Sequence, residues 1–153
     1  MQNGSYIVYV VVLFISFSFG CGPEEVINEE GNYIDGKKDG KWIFYLEDGQ
    51  IWYTGSYQEG KEHGEFIYNG YGNYNIFHKI TLENYRDGKL SGDAINYHVN
   101  GEINSIVSYK SGEKDGNSIF YDKDGKKYWS GNYQDGVLID GNFIKSDTPF
   151  NLY

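Results

Sequence analysis

The chain has 153 residues and a net charge of −9, which leaves room for one small domain after any targeting segment is removed. The acidic balance argues against a nucleic-acid partner and against electrostatic binding to anionic lipid, because both need surfaces rich in Lys and Arg. The 21 glycines and 16 tyrosines, with only 2 prolines, indicate many short strands joined by tight turns.

The amino end carries an uncharged apolar stretch at residues 7–19 (IVYVVVLFISFSF). It is shorter than the roughly 20 apolar residues that a spanning helix needs, and it has the length of a signal-peptide core. It is followed by SFGC, which ends in the only cysteine, Cys21. This arrangement resembles a bacterial lipobox, which implies that residues 1–20 are a signal peptide and that Cys21 is lipidated. The protein would then be lipid-anchored in the bacterial cell envelope, either periplasmic or surface-exposed. The alternatives are an ordinary secretory signal, or an uncleaved anchor whose thiol has no role.

An acidic segment follows the cysteine. Residues 22–30 (GPEEVINEE) have no periodic pattern, so residues 21–30 are interpreted as the lipidated cysteine and a flexible linker. The acidic pair after the cysteine is also similar to the export signals of surface lipoproteins. A polar tether is the simpler interpretation.

A repeat occupies most of the remaining chain. YIDGKKDGKW begins at Tyr33, and related segments begin 24, 28, 24 and 24 residues apart along the sequence. The array covers residues 31–143 as four full units and a truncated fifth, and residues 144–153 form a cap or tail. Within the units, Asp48-Gly49, Asn100-Gly101 and Asp124-Gly125 lie between apolar runs and predict hairpin turns. Each unit is therefore strand, turn, strand and Gly-rich link. Stacked units predict an all-β fold, an elongated single-layer antiparallel sheet of repeated hairpins.

The repetition also predicts which side chains form the core. Residues two apart on a strand share a face, and isoleucines and tyrosines recur at such positions. The predicted core rows are Ile43, Ile67, Ile95 and Ile119; Tyr45, Tyr97 and Tyr121; and, at the repeat starts, Tyr33, Tyr57, Tyr85, Tyr109 and Tyr133. The face of Trp42, Phe44, Ala94 and Ser118 varies between units, so we expect it to be partly exposed.

The pattern Y-x-x-G-K-x-x-G-x-W-x-x-Y with a following Asp-Gly resembles the MORN repeat, especially its bacterial variant in the YwqK-type antitoxin family. The resemblance covers residues 31–143. It implies an architecture of stacked hairpins and a role in protein interaction, dimerisation or membrane association. It carries no common catalytic residues. Ala94 and Ser118 depart from the pattern where it has an aromatic, and the fifth unit has one extra residue before Gly141.

The second unit carries four extra residues in EFIYNGYGNYNIFHKITLENY. An even-numbered insertion keeps the faces of its second strand unchanged. Tyr, Asn and Gly together are typical of adaptable binding loops, and a longer hairpin with aromatics packed across its strands is the alternative.

The sequence contains no recognisable catalytic constellation. His63, His78 and His98 lie in different units without metal-ligand spacing, and the only cysteine lies at the lipobox. Asp122-Lys123-Asp124-Gly125 resembles the start of a calcium loop but lacks the later ligands, and it coincides with a predicted turn. No glycine motif precedes a helix as phosphate binding requires. We therefore expect a protein that is not an enzyme and that has no cofactor and no metal.

The aromatic residues are the remaining functional lead, because a thin sheet cannot bury all of them. The candidate binding residues are Trp42, Trp52, Tyr71, Tyr74, Phe77, His78 and Trp129. The first hypothesis is a non-catalytic, envelope-anchored lipoprotein that binds another protein. The second, implied by the YwqK-type resemblance, is an antitoxin or immunity protein that occludes a toxin. The third is a module that binds glycan or cell wall.

Overall fold

The computed structural model describes residues 6–7, 28–71 and 77–144. Throughout these residues the chain is all-β, without a helix, and forms one open antiparallel sheet built from hairpins. This confirms the fold class predicted from the repeat. Among the described residues no helix has the length and apolar character that crossing a membrane would need.

Within the described residues the sheet has 13 strands. In chain order they are β1 (Tyr6–Ile7), β2 (Asn28–Ile34), β3 (Lys37–Tyr45), β4 (Ile51–Gln58), β5 (Lys61–Glu62), β6 (Gly64–Tyr71), β7 (Phe77–Arg86), β8 (Lys89–Leu90), β9 (Gly92–Tyr97), β10 (Ile103–Lys110), β11 (Glu113–Tyr121), β12 (Lys127–Gln134) and β13 (Val137–Phe143). Eleven of them follow one another across the sheet in chain order, and β5 and β8 pair beside them with β4 and β7. The chain is thus a meander, and each repeat adds its two strands to the growing sheet.

Two kinds of turn alternate along the meander. The Asp-Gly and Asn-Gly turns predicted from the sequence close three-residue hairpin loops. In the first, the Leu46 N–H donates to the Gln50 carbonyl oxygen at 2.8 Å and Gly49 has a φ of 82°. The Gly-rich links are two-residue turns in which both central residues have positive φ, such as Asp35 at 50° and Gly36 at 72°. Such turns match the twist of the flanking strands, which explains the first glycine of the repeated motif.

Each link turn bonds to the strand that follows the preceding link, along one edge of the sheet. The N–H of Gly60 donates to the carbonyl oxygen of Lys38 at 2.9 Å, and the same bond recurs one repeat further on, from Gly88 to Glu62 at 2.9 Å. The second glycine of the motif lies directly across from the next repeat tyrosine, as in the pair Gly40 and Tyr57. Because each link thus bonds to its neighbour, successive repeats are joined by backbone bonds outside the strand ladders.

The prediction of the core face was wrong. The rows of Ile43, Ile67, Ile95 and Ile119 and of Tyr45, Tyr97 and Tyr121 are only half-buried. The most buried side chains lie on the opposite face, which had been expected to be partly exposed: Trp42, Phe44, Leu46, Phe66, Ala94, Ser105, Val107 and Ser118. The repeat tyrosines Tyr33, Tyr57, Tyr85, Tyr109 and Tyr133 belong to this second face through their strand partners, and they are also half-buried.

Glycine is the physical reason for this reversal. A Cβ on Gly31 would overlap the indole of Trp42, and one on Gly55 would overlap the ring of Phe66. The large rings therefore lie flat over bare backbone and are covered by their neighbours, whereas an isoleucine on the other face stands beside side chains of ordinary size. We call the face of Trp42, Phe44, Tyr57 and Phe66 the aromatic face, and that of Ile43, Ile67, Ile95 and Ile119 the isoleucine face.

The longer unit forms a longer hairpin. Strands β6 and β7 stay paired as far as Tyr71 and Phe77, whose rings lie 5.1 Å apart. Tyr85 still pairs with Gly64, so the even-numbered insertion keeps the faces of the second strand, as predicted. The end of the predicted linker was wrong, because residues 28–30 are the start of β2 and pair with β3. Residues 8–27, which include Cys21 and most of the proposed signal peptide and linker, lie outside the described residues, as do residues 145–153 of the tail.

Candidate functional site

Rings in the first two repeats form a continuous network on the aromatic face. Tyr33 meets Trp42 edge to face at 4.8 Å, and Phe44 stacks on Tyr53 at 4.0 Å. Phe66 continues the network through Tyr57 and Tyr85, with centroids 5.5 and 5.0 Å away. Trp42, Phe44 and Phe66 are buried, while the tyrosines are half-buried. The network therefore has an apolar floor and a surface of tyrosine rings.

Burial of these tyrosines changes their acidity. It raises the pKa of Tyr57 to about 12, and it raises the pKa of Tyr53, Tyr68 and Tyr85 as well. The Tyr85 hydroxyl also donates to a Glu83 carboxylate oxygen at 2.7 Å, which further disfavours its ionisation. The hydroxyls are thus neutral, polar tips on an apolar surface.

Lys38 lies within the network of the first repeat, and its ammonium has an aromatic environment. Its Nζ is 4.2 Å from the ring centroid of Trp42, 4.3 Å from that of Phe44 and 5.5 Å from that of Tyr57. The same ammonium pairs with a Glu29 carboxylate oxygen at 2.5 Å. A cation over several ring faces and next to a carboxylate has favourable electrostatics on both counts. We call the three rings of Trp42, Phe44 and Tyr57 the first cage.

The second repeat builds an equivalent set of rings. Phe66, Tyr68 and Tyr85 occupy the positions of the first cage one repeat further on, and we call them the second cage. Phe66 is 6.4 Å from Tyr68 and 5.0 Å from Tyr85. Glu62 stands where the first repeat has Lys38, since Tyr57 pairs with Glu62 as Tyr33 pairs with Lys38. The second cage therefore has an acid at the position of the first cage's ammonium.

The third repeat keeps the repeat tyrosine but has Ala94 and Asn96 where the second cage has Phe66 and Tyr68. Thr81, Asn96 and Ser105 form a chain of side-chain hydrogen bonds, with Thr81 donating to Asn96 at 3.0 Å and Asn96 donating to Ser105 at 3.1 Å. Ala94 and Val107 are the buried apolar residues beside them. The aromatic surface is thus concentrated in the first two repeats.

The predicted binding tryptophans do not form one site. Trp42 has only 1% of its side chain exposed, so it is part of the floor and cannot offer a ring face to a ligand. Trp52 is the residue left unpaired by a bulge in β4, half-buried and 5.1 Å from Tyr53. Trp129 lies on the aromatic face of the fourth repeat, beside Phe120 at 5.3 Å.

The other predicted binding residues lie near the end of the long hairpin. The Tyr71 hydroxyl bonds to an Asp48 carboxylate oxygen and accepts from Gln50 Nε2 at 2.8 Å. The bond from Tyr71 lowers the pKa of Asp48. These bonds tie the first hairpin loop to the second. Phe77 and His78 are half-buried in β7, and Tyr74 lies outside the described residues.

The isoleucine face carries an apolar row across the sheet. Consecutive strands place these residues directly opposite one another: Ile43, Thr54, Ile67, Leu82, Ile95, Ile106, Ile119 and Ser130. An open depression on this face is lined by Lys41, Ile43, Thr54, Ser56, Glu65 and Ile67. The residues that line this depression do not form the pair of nucleophile and general base that catalysis would need.

No metal site is assembled in the part of the chain that the structure describes, since no group of three His, Cys, Asp or Glu residues converges there. His98 bonds through Nε2 to the Tyr121 carbonyl oxygen at 2.9 Å and meets Asn104 at its other nitrogen. The Asp122 carboxylate accepts from the N–H groups of Asp124 and Lys126, at 3.0 and 2.8 Å. The calcium-like segment thus uses its first carboxylate to hold its own turn.

Comparison with known proteins adds no family. No family model matches the chain, and no curated protein matches it.

Sequence reasoning missed the residues that define the two cages. They are Lys38, Phe44, Glu62, Phe66, Tyr68 and Glu83. The signal was present in the repeat, because Lys38, Trp42 and Phe44 align with Glu62, Phe66 and Tyr68 at the same spacing of 24 residues. It was overlooked because the face carrying these residues varies between units, and variation was interpreted as exposure.

Proposed function

We propose that this protein is a non-catalytic interaction module of the bacterial envelope, which binds another protein through the aromatic face of its first two repeats. The observation that carries the proposal is the half-buried tyrosine surface above the buried Trp42, Phe44 and Phe66. Tyrosine combines a large apolar area with a polar tip and loses little conformational entropy on binding, so it is enriched where proteins meet. The resemblance to MORN arrays, which serve in protein interaction, supports the same proposal.

The anchor is the second part of the proposal. Cys21 is the site at which a lipid would attach, and the acidic segment after it would hold the sheet away from the membrane. Growth with labelled palmitate tests this part. We expect the label in the wild-type protein and none in Cys21→Ala, and equal labelling of the two proteins would refute the anchor.

Photo-crosslinking tests the binding face. A photoreactive phenylalanine analogue replaces Tyr53 on the aromatic face or, as a matched control, Tyr97 on the isoleucine face, both of them half-buried tyrosines in strands. We expect crosslinks to a discrete partner in envelope preparations from the Tyr53 position and few from the Tyr97 position. Crosslinking from Tyr97 alone would assign binding to the other face.

The recovered partner also separates the alternatives. A small protein encoded beside this one would point to the antitoxin role that the YwqK-type resemblance implies. Tyrosine faces also stack on sugars, so binding to purified wall polysaccharide without a protein partner would favour the glycan-binding alternative.

A further inference from the structure

We propose that the half-buried rings of the second cage, Tyr68 and Tyr85, bind a lysine side chain of a partner protein with the help of the carboxylates of Glu62 and Glu83. This inference rests on the proposed protein-binding function and specifies the partner's chemistry at one point of the aromatic face. The first repeat supplies the template, because its cage already contains an ammonium, 4.2 Å from Trp42 and 4.3 Å from Phe44.

The walls of the two cages correspond ring by ring. The first-cage distances are 6.1 Å from Trp42 to Phe44 and 6.3 Å from Trp42 to Tyr57. In the second cage, Phe66 lies 6.4 Å from Tyr68 and 5.0 Å from Tyr85. Both cages have a buried ring as their floor and a repeat tyrosine as one wall. Phe66 is as buried as Trp42, so an incoming ammonium would meet the half-buried rings of Tyr68 and Tyr85 above it.

The charged residues around the second cage differ from those around the first, and the difference favours binding of an external cation. Where the first repeat has Lys38, the second has Glu62, and Glu83 lies directly across from Phe66 on the same face. Both carboxylates are close enough to Tyr68 to raise its pKa, and both belong to half-buried residues. Within the described residues the only ion pair of a lysine or arginine joins Lys38 to Glu29. The second cage thus has rings and acids but no ammonium of its own.

The fourth repeat supports the same logic. Lys114 stands at the position of Lys38, and its Nζ lies 5.1 Å from the ring centroid of Tyr133. In two of the repeats, therefore, a lysine at this position lies over the next repeat tyrosine. At the second repeat, Glu62 and Tyr85 occupy the corresponding positions, so an incoming ammonium could contact both the carboxylate and the ring. This arrangement selects a cationic side chain over a neutral one.

The test measures binding of a fluorescent peptide of alternating glycine and lysine to the full-length protein in detergent. The control peptide has the same sequence with every lysine Nε-acetylated. We expect the lysine peptide to bind and the acetylated peptide to bind at least about tenfold more weakly, since acetylation removes both the ion pair and the cation–π contact. Equal binding of the two peptides would overturn the proposal.

Glu62→Lys tests the site itself, because it would give the second cage an ammonium of its own, as in the first. We expect it to weaken lysine-peptide binding about tenfold, the scale of one desolvated cation–π contact with its ion pair. Glu65→Lys is the matched control, with the same charge change on a neighbouring strand but at an exposed position. Equal weakening by both variants would reduce the effect to net charge and refute the cage.

A second variant tests whether weaker binding comes from the loss of the acids rather than from the presence of the new lysine side chain in Glu62→Lys. Glu62→Gln combined with Glu83→Gln removes both acids while keeping their size, and we expect it to weaken binding by a similar factor. Unchanged binding would refute the role of the carboxylates. Crosslinking from the Tyr53 position, which belongs to neither cage, separates the two proposals. If Glu62→Lys leaves partner capture intact, the lysine cage is wrong and the protein-binding face stands; if the unmodified face captures no partner, the proposed function itself fails.

Discussion

The first two repeats and the third solve the same packing problem with opposite choices of residue size. In the first two, Gly55 lies between Trp42 and Phe66, and a Cβ at this glycine would overlap the Phe66 ring. At the equivalent place further along the sheet, Val107 is paired with Ala94 on one side and Ser118 on the other. Large side chains thus flank glycine, and small side chains flank valine.

This difference shows that the repeat keeps neither residue identity nor summed volume at these positions, but only the alternation of larger and smaller side chains across neighbouring strands. This matters for function, because broad aromatic surfaces form only where large rings flank a glycine. Where small residues flank Val107, the same face carries the hydrogen-bonded chain of Thr81, Asn96 and Ser105 instead of aromatic rings.

The largest predicted effect comes from emptying the aromatic layer. Phe66→Ala would leave a gap above Gly55 that no neighbouring side chain fills, and we expect a loss of about 4 kcal/mol in the free energy of unfolding. Phe120→Ala in the fourth repeat is the control, and its smaller effect reflects a half-buried ring. Urea unfolding followed by tyrosine and tryptophan fluorescence measures both. If Phe66→Ala lowered the free energy of unfolding no more than Phe120→Ala does, Phe66 would not be the buried base of the aromatic face.

Overfilling the same layer comes next. Gly55→Ala places a methyl group against the Phe66 ring, and we expect a loss of about 2–3 kcal/mol through overpacking. The double variant Gly55→Ala/Phe66→Ala sharpens the comparison, because shortening the ring removes the clash. We expect the double variant to lose less stability than the sum of the single losses. Strict additivity would show that the two positions do not share one space.

Alkaline pH should affect the first two repeats. The unfolded chain loses tyrosine protons near the ordinary pKa of about 10, whereas burial holds the Tyr57 proton until a pKa of about 12. The raised folded-state pKa therefore contributes stability that is complete below pH about 10 and is lost as pH rises toward about 12. Tyrosinate absorbance and stability, measured together across this range, should change in step. Ionisation of all tyrosines near pH 10 without loss of stability would contradict it.

The smallest effect is a gain. Ser118 is buried, and its hydroxyl has no hydrogen-bond partner among the described residues, so Ser118→Ala should stabilise the protein by about 1 kcal/mol. Ser105→Ala is the matched control in the same layer, because the Ser105 hydroxyl accepts from Asn96 and its loss should destabilise by about 1 kcal/mol. Thermal unfolding of the two variants gives opposite shifts if the assignment is right. A shift in the same direction would contradict it.

Local rules predicted the architecture well. The Asp-Gly and Asn-Gly turns, the hairpin strands, the single-layer antiparallel sheet and the phase of the second strand after the four-residue insertion all follow from spacing and turn chemistry. The choice of core face does not follow from them, because the regular recurrence of Ile43 and its equivalents says nothing about which side chains lie over bare backbone. Burial on a single sheet depends on what lies beneath and beside each ring, and Gly31 under Trp42 belongs to a different strand.

The sequence by itself determined the period, the meander and the positions of the turns, because these depend on residues close together in the chain and on glycine's access to positive φ. Only the tertiary structure decided which face is packed, that Trp42 is floor rather than binding surface, and that Lys38 lies in a cage whose counterpart in the next repeat holds Glu62. Those facts arise from side chains of different strands meeting across the sheet, where the size and charge of each partner, rather than its place in the repeat, set the outcome.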